Sequence, residues 1–271
     1  GLGVEIAKNV ILTGVKSVTL HDPKNVSIMD LSSQFYFQEK NLGKNRVDCC
    51  IAQLKELNQR VKVDVYKGKI TKEYLEKSNF GVVVFTDEHI PNLVEMNKIC
   101  RNLGIKFVAV ESRGLAGVIF VDVGDQFEIV DPDGETPEQA VVIHISNENP
   151  GTVTVNEDKR HGLYDGDEVI FESVEGMEEL NKLGPVPIKA TGLYTFTICD
   201  TSIFGKYTGG GYVKQVKKKQ VVSYESLEEA LKSPKTLIYD FSKENIPTQL
   251  HIAFQALAAF SNNEKRLPQP Y

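Results

Sequence analysis

The hydrophobic period of this chain changes twice, and those changes limit what it can fold into. From residue 1 to about 123, segments of helical spacing alternate with segments of strand spacing. From the turn cluster Asp131-Pro132-Asp133-Gly134 onward the period is two, and after Lys219 it lengthens again. A chain of 271 residues, 41% hydrophobic and 25% charged, has the length for two compact domains and the composition of ordinary globular protein.

The first stretch begins with Gly1-Leu2-Gly3, followed by apolar residues at helical spacing from Val4 to Leu12, then Gly14 and a Val18-Thr19-Leu20-His21-Asp22 strand. This is the glycine turn, helix and second strand of a doubly wound dinucleotide-type fold. Asp22 falls 19 positions after Gly3, near where such folds hold a ribose. The fingerprint is damaged, because Ile6 sits where glycine or alanine permits close helix packing. No buried strand precedes Gly1, so the chain reads as a piece of a longer protein. The spacing next predicts a helix over 44–58, with Val47, Cys50, Ile51, Leu54 and Leu57 on one face, and a strand over 61–66. Phe80 to Phe85, continuous and β-branched, reads as a strand buried on both faces. Asp87 and Pro91 open a helix that carries Leu93, Met96, Ile99 and Leu103 and ends at Gly104. Strands follow over 106–111 and 117–123. Such alternation predicts an α/β fold with a mainly parallel sheet and helices on both faces.

Over 131–220 the predicted strands are short: 141–145, 151–155, 168–171, 188–193, 194–198 and 211–216. Asn-Pro-Gly, His-Gly, Asp-Gly-Asp and Gly-Gly-Gly turns separate them. That pattern suggests a small β-barrel inserted in or appended to the α/β domain. Beyond it, Leu227, Ala230 and Leu231 mark a short helix. A longer one over 248–260 carries Leu250, Phe254, Leu257, Ala258 and Phe260 on a face that wants a partner. The tail Arg266-Leu267-Pro268-Gln269-Pro270-Tyr271 cannot continue that helix.

No run approaches the ~20 apolar residues of a membrane span, and no leader pattern opens the chain, so a soluble intracellular protein is expected. Net charge is -6, and residues 131–222, with 15 acids against 9 bases, carry all of the excess. Asp165, Asp167, Glu168, Glu172, Glu175, Glu178 and Glu179 follow one another with no base between them. This face is therefore expected to meet a basic partner and not nucleic acid, or to be a solvated surface with no partner. Cys49, Cys50, Cys100 and Cys199 lack metal-ligand spacing and read as reduced core thiols. His144, His161 and His251 read as structural residues, and Lys217-Lys218-Lys219 as a solvated strand end. No catalytic nucleophile, acid–base pair or metal site stands out.

Several stretches resemble one family. Gly1-Leu2-Gly3-Val4-Glu5-Ile6-Ala7-Lys8-Asn9, Gly14 to Asp22, Asn149-Pro150-Gly151-Thr152-Val153-Thr154, Arg160-His161-Gly162 and Glu172-Ser173-Val174-Glu175-Gly176-Met177 are similar, in order, to the N-terminal half of eukaryotic ubiquitin-activating enzyme. So are Tyr194-Thr195-Phe196-Thr197-Ile198 and Gln249 to Leu257. The resemblance implies an inactive, Rossmann-like adenylation domain over 1–130, a first catalytic cysteine half-domain (a β-barrel) over 131–220 and the start of a helical bundle over 221–271. Active adenylation domains of this family hold ATP with an Asp-x-Asp after the second strand, an Asn and an Arg in the next loop, a Lys on the following helix and an Asp-Asn after the fourth strand. The corresponding positions here read Asp22, Lys24, Asp30, Ser33, Arg46, Asp87 and Glu88. Gly1, Gly3, Asp22 and Asp87 thus form a degenerate nucleotide site, in which Ser33 replaces the phosphate-neutralising arginine and Glu88 adds an acid.

The resemblance further implies that this chain itself has no cofactor, no catalytic residue and no ATP turnover. The full-length enzyme uses ATP and Mg to adenylate the ubiquitin C-terminus and passes it to a cysteine as a thioester. The implied partners are ubiquitin, the active adenylation domain of the same enzyme and, through the parent, ubiquitin-conjugating enzymes, in cytoplasm and nucleus, with no nucleic acid or membrane. Asp165, Asp167, Glu168, Glu172, Glu175 and Glu178 are then the expected ubiquitin-facing residues. Two other readings stay open: a regulatory subunit activating another ubiquitin-like protein, which would not be expected to carry this barrel, and a Rossmann oxidoreductase or methyltransferase binding its cofactor near Gly3 and Asp22.

Overall fold

A computed structural model describes residues 1–235, 237–238, 240–264, 266 and 268. Leu267, Gln269, Pro270 and Tyr271 of the proline-containing tail lie outside the described residues. The chain divides into two compact units, Gly1–Asp125 with Ser223–Tyr271, and Gln126–Val222.

In the first unit, α1 (Leu2–Leu12) and α2 (Arg46–Leu57) pack on β1 (Ser17–Leu20) and β2 (Lys62–Val65), which pair in parallel. Ile11, Cys50, Leu54, Val61 and Val63 form the core between them. Asn45 starts α2 by accepting the N–H groups of Val47 at 3.1 Å and Asp48 at 3.3 Å, which satisfies two of the donors a helix N-terminus leaves open. A short α3 (Lys72–Ser78), capped by Thr71, was not legible from periodicity because it buries only Leu75.

The second core of this unit lies between α4 (Ile90–Leu103) and a sheet of β3 (Val82–Thr86), β4 (Lys106–Arg113) and β5 (Ala116–Asp122). Pro91 at the start of α4 and Gly104 in a left-handed C-cap delimit the helix as expected.

Two expectations are corrected here. The unit holds two separate sheets in place of one mainly parallel sheet, and β5 runs antiparallel to β4. The short Gly114-Leu115 connection dictates this, since parallel neighbours need a crossover of a dozen or more residues. The β3 strand is also not buried on both faces. Val83 and Phe85 pack into the core, while Val82 and Val84 are 54% and 41% exposed. At the end of the strand the start of α1 comes so close that a Cβ on Gly3 would lie 3.1 Å from Thr86 Oγ1.

The second unit is built from β6 (Phe127–Ile129), β7 (Gln139–Ile145), β8 (Thr152–Val155), β9 (Glu168–Glu172), β10 (Val186–Pro187), β11 (Lys189–Ala190), β12 (Thr195–Thr197), β13 (Tyr212–Val216) and β14 (Gln220–Val222). Seven of these form one antiparallel sheet in the order β10-β9-β13-β7-β8-β12-β11. Its two end strands are successive segments on either side of Ile188, so the sheet closes on itself as a barrel. Ile188 also exchanges hydrogen bonds with the 166–167 turn, donating to the Asp167 carbonyl and accepting from Gly166 N–H, each at 2.9 Å. Val153, Val169, Met177 and Phe196 fill the interior.

The strand predicted over 188–193 shortens to two residues in the ladder. Thr191 and Gly192 N–H both turn back to the Thr195 carbonyl at 3.0 Å. The β6–β14 pair was not predicted. Nor is the lysine run merely solvated: Lys217 reaches Asp133 at 2.5 Å, Lys218 reaches Glu168 at 3.0 Å and Lys219 reaches Glu128 at 2.7 Å.

The C-terminal part of the first unit holds α5 (Leu227–Lys232), whose Leu227 enters the α4 core, and α6 (Ile246–Glu264). No described side chain of α6 is fully buried; on its predicted apolar face Leu250 is 43% exposed, while Phe254, Leu257, Ala258 and Phe260 are half-buried.

Candidate functional site

The loop after β1 gathers one cation between two carboxylates. Arg46, the first residue of α2, points Nη2 at Asp30 Oδ1 at 2.7 Å and Nε at Asp30 Oδ2 at 3.2 Å, and its Nη1 lies 3.6 Å from Asp22 Oδ2. Asp30 sits in a 3₁₀ turn (Ile28–Ser32) and accepts both the N–H and the hydroxyl of Ser27 at 2.8 Å. Burial pushes the Asp30 carboxyl up, but the Ser27 hydrogen bonds and then the Arg46 guanidinium outweigh it and hold the group below the usual carboxylate range. Asp22 is occupied as well, accepting the Lys24 N–H at 2.8 Å. A bidentate guanidinium is the group that best grips a phosphate, and here it grips a carboxylate of its own chain.

Asp87 lies in a second carboxylate–arginine cluster. It follows β3 in the left-handed region, at φ 51°, a conformation unusual for a residue with a side chain. Arg113 Nη1 donates to it at 3.1 Å, and Arg113 Nη2 pairs with Glu111 at 2.6 Å. Glu88 turns back to accept the His89 N–H at 2.9 Å. A cleft of about 40 Å³ beside them is lined by Asp87, Glu88, His89, Glu111, Arg113 and Ser261, among others. That is far below the ~300 Å³ at the small end of ligand pockets. The structure thus places Gly3 beside Thr86, next to Asp87, and groups Asp22 with Asp30 and Arg46. Gly1 caps α1 without a side-chain hydrogen bond. Glu111 and Arg113 were missed from sequence, where their only signal is an i, i+2 pair on one face of a strand.

The acidic run separates into two groups. Asp165 accepts the Ala190 N–H at 2.7 Å, and Asp167 accepts Tyr164 N–H at 2.9 Å and Gln215 Nε2 at 3.0 Å. Glu168 pairs with Lys218, and Glu179 accepts the Gly205 N–H at 3.1 Å. These four are already engaged by groups of the barrel itself. The side chains of Glu172, Glu175 and Glu178 form no ion pair or hydrogen bond among the described residues, and all three are exposed. Alternation along β9 sets Glu172 on the outer face, beside Tyr212 of β13, which is 56% exposed.

Burial pushes the thiols of Cys50 and Cys100 up to about 11 and raises that of Cys199, which fits core cysteines and not nucleophiles. His161 is structural: its Nε2 lies 2.8 Å from the Gly192 carbonyl and its Nδ1 accepts the Leu163 N–H at 2.9 Å. Among the described residues no group of three or more His, Cys, Asp or Glu could hold a metal ion, and no helix is long and apolar enough to cross a membrane.

Comparison with known proteins gives a consistent picture. Residues 148–217 match the ubiquitin-activating enzyme E1 FCCH domain, and residues 218–271 match the ubiquitin-activating enzyme E1 four-helix bundle. The whole chain is 46% identical over 270 residues to the human ubiquitin-like modifier-activating enzyme 1, covering 25% of that protein. It is 47% identical over 272 residues to ubiquitin-activating enzyme E1 2 of Arabidopsis thaliana, with 99% of the chain aligned to 25% of the relative. Ubiquitin-activating enzyme E1 1 of Triticum aestivum is 45% identical over 272 residues, again across 99% of the chain and 26% of the relative. The chain therefore spans about a quarter of the length of the relatives it matches.

Proposed function

Because the chain belongs to the ubiquitin-activating enzyme E1 family, we propose that it is the non-catalytic N-terminal part of such an enzyme, a scaffold that walls the ubiquitin cleft and carries no nucleotide chemistry of its own. In this reading Gly1–Asp125 of the first unit supplies the inactive, Rossmann-like adenylation domain that packs against the active one, Gln126–Val222 is the first catalytic cysteine half-domain, and the remainder of the first unit, from Ser223, begins the helical bundle. The parent adenylates the ubiquitin C-terminus with ATP and Mg, passes it to a cysteine and then to ubiquitin-conjugating enzymes, in cytoplasm and nucleus.

The observation that carries the reading is the Asp30–Arg46 pair. A triphosphate at this loop would have to displace Asp30 from its four hydrogen bonds before it met the Arg46 guanidinium, and would still face Asp22. The residues present do not fit a nucleotide, so no catalytic step is assigned to them. The second unit supports the other half of the proposal. Glu172, Glu175 and Glu178 are left over after the barrel's own hydrogen bonds are satisfied, and unpaired exposed carboxylates suit a partner that is basic in places, as ubiquitin is.

Titration calorimetry of the chain with ubiquitin at 50 and 250 mM salt tests this. Binding that weakens by about threefold or more at the higher salt is expected for exposed charges separated by solvent. Salt-independent binding, or none when the chain is joined to its active adenylation domain, contradicts it.

A further inference from the structure

The two units are joined covalently at residues 125–126 and 222–223, and one side chain of the first unit reaches both chain segments there. Arg101, in the last turn of α4, donates from Nη1 to Asp122 Oδ1 at 2.7 Å and to the Tyr224 carbonyl at 3.0 Å, and from Nη2 to Asp125 Oδ1 at 2.9 Å. A single planar group therefore holds the outgoing segment by two carboxylates and the returning segment by its backbone. Its surroundings are built to keep it there. Asp122 is 1% exposed, and its second oxygen accepts Asn97 Nδ2 at 2.7 Å. Asn97, itself 0% exposed, accepts the Leu227 N–H at 2.9 Å and so fixes the start of α5. Asp122 also accepts the Gly124 N–H at 2.9 Å, and Tyr224 N–H donates to the Gly124 carbonyl at 3.1 Å. The outgoing and returning segments are thus tied to α4 and to each other, through polar groups that leave no partner missing.

We infer that Arg101 is the clasp of both connections, an anchor whose loss frees residues 123–125 and 224–225 while both units stay folded. The apolar cores do not depend on it, because α4 is held by Leu93, Met96 and Cys100 and bounded by Pro91 and Gly104. The planar fork is what reaches all three acceptors. A lysine keeps a positive charge opposite Asp122, but its one nitrogen cannot span three acceptors on two segments in the geometry a guanidinium provides. The inference is independent of the nucleotide and ubiquitin readings above, since it concerns only how the connections are held.

Hydrogen exchange on the whole 271-residue chain tests it, comparing Arg101→Lys with the unaltered protein. The expected result is exchange at least tenfold faster at the Gly124 and Tyr224 amides, with amides of α2, β9 and β13 unchanged. No change at Gly124 and Tyr224, or a rise shared equally by the core amides, overturns the inference. Should Arg101→Lys fail to fold, Asp125→Asn removes one arm of the fork at a side chain that is 73% exposed. It is expected to speed exchange at Gly124 and Tyr224 severalfold with the fold intact, and an unaltered pattern in that variant overturns the inference equally.

Discussion

Asp30 and Arg46 are joined by two hydrogen bonds, at 2.7 and 3.2 Å, between a loop turn and the first residue of a helix 16 positions later. The pair does two things at once. It pins the 23–44 connection to α2, and it occupies a guanidinium that could otherwise meet a phosphate.

The first consequence is for stability. Asp30→Ala removes the acceptor for Arg46 and for Ser27 together and leaves a half-buried guanidinium with only Asp22 nearby. Hydrogen bonds to charged groups contribute about 1.5–3 kcal/mol each when measured by deletion, and the partners here are partly solvated, so a loss of about 2 kcal/mol in urea unfolding of the first unit is expected.

The same pair sets a pH dependence. Because the folded Asp30 lies below its ordinary value, its contribution is fully present above the unfolded carboxyl value of about 3.9 and is lost as pH falls through the lower folded value. Unfolding midpoints measured from pH 6 to pH 2 should therefore fall less steeply below about pH 4 in Asp30→Asn than in the unaltered chain.

The acids of the barrel should separate by role. Charge reversal at Glu175 and Glu178 in the full-length enzyme is expected to raise the ubiquitin KM with little change in kcat and to leave barrel stability within about 0.5 kcal/mol. Asp167→Ala instead removes acceptors for Tyr164 and Gln215 and should lower the unfolding midpoint of the barrel. Steady-state kinetics alongside thermal unfolding distinguishes the two groups.

Much of this was legible in the sequence, and the limits are physical. The period of two over 131–220 gave the barrel, because closely spaced strands with Gly and Asn turns have few other ways to bury alternate residues. Pro91 and Gly104 marked both ends of α4. The antiparallel β5 was missed because a run such as 117–123 does not state its direction. The exposure of Val82 and Val84 was missed because a continuous apolar run does not reveal whether both faces are covered. In the candidate site, the substitutions at Asp30 and Ser33 were readable. The gripping of Arg46 by Asp30 was not, since it depends on a loop folding back over 16 residues. Which acids are already used by the barrel was likewise invisible, because their partners, Ala190, Gln215, Lys218 and Gly205, lie far along the chain.

Close backbone approach makes one glycine indispensable to the loop that carries Glu175. Gly176 has φ 80°, and a Cβ there would lie 2.1 Å from the Lys206 carbonyl oxygen. Gly176→Ala is expected to cost more than about 2 kcal/mol of barrel stability or to prevent the barrel from folding, as read by circular dichroism and chemical unfolding.

The central claim is that the first unit carries no working nucleotide site because Arg46 is already committed to Asp30. Titration of the chain with ATP and magnesium tests it most directly. The account predicts no saturable heat up to millimolar nucleotide, and saturable ATP binding in the micromolar range would contradict it.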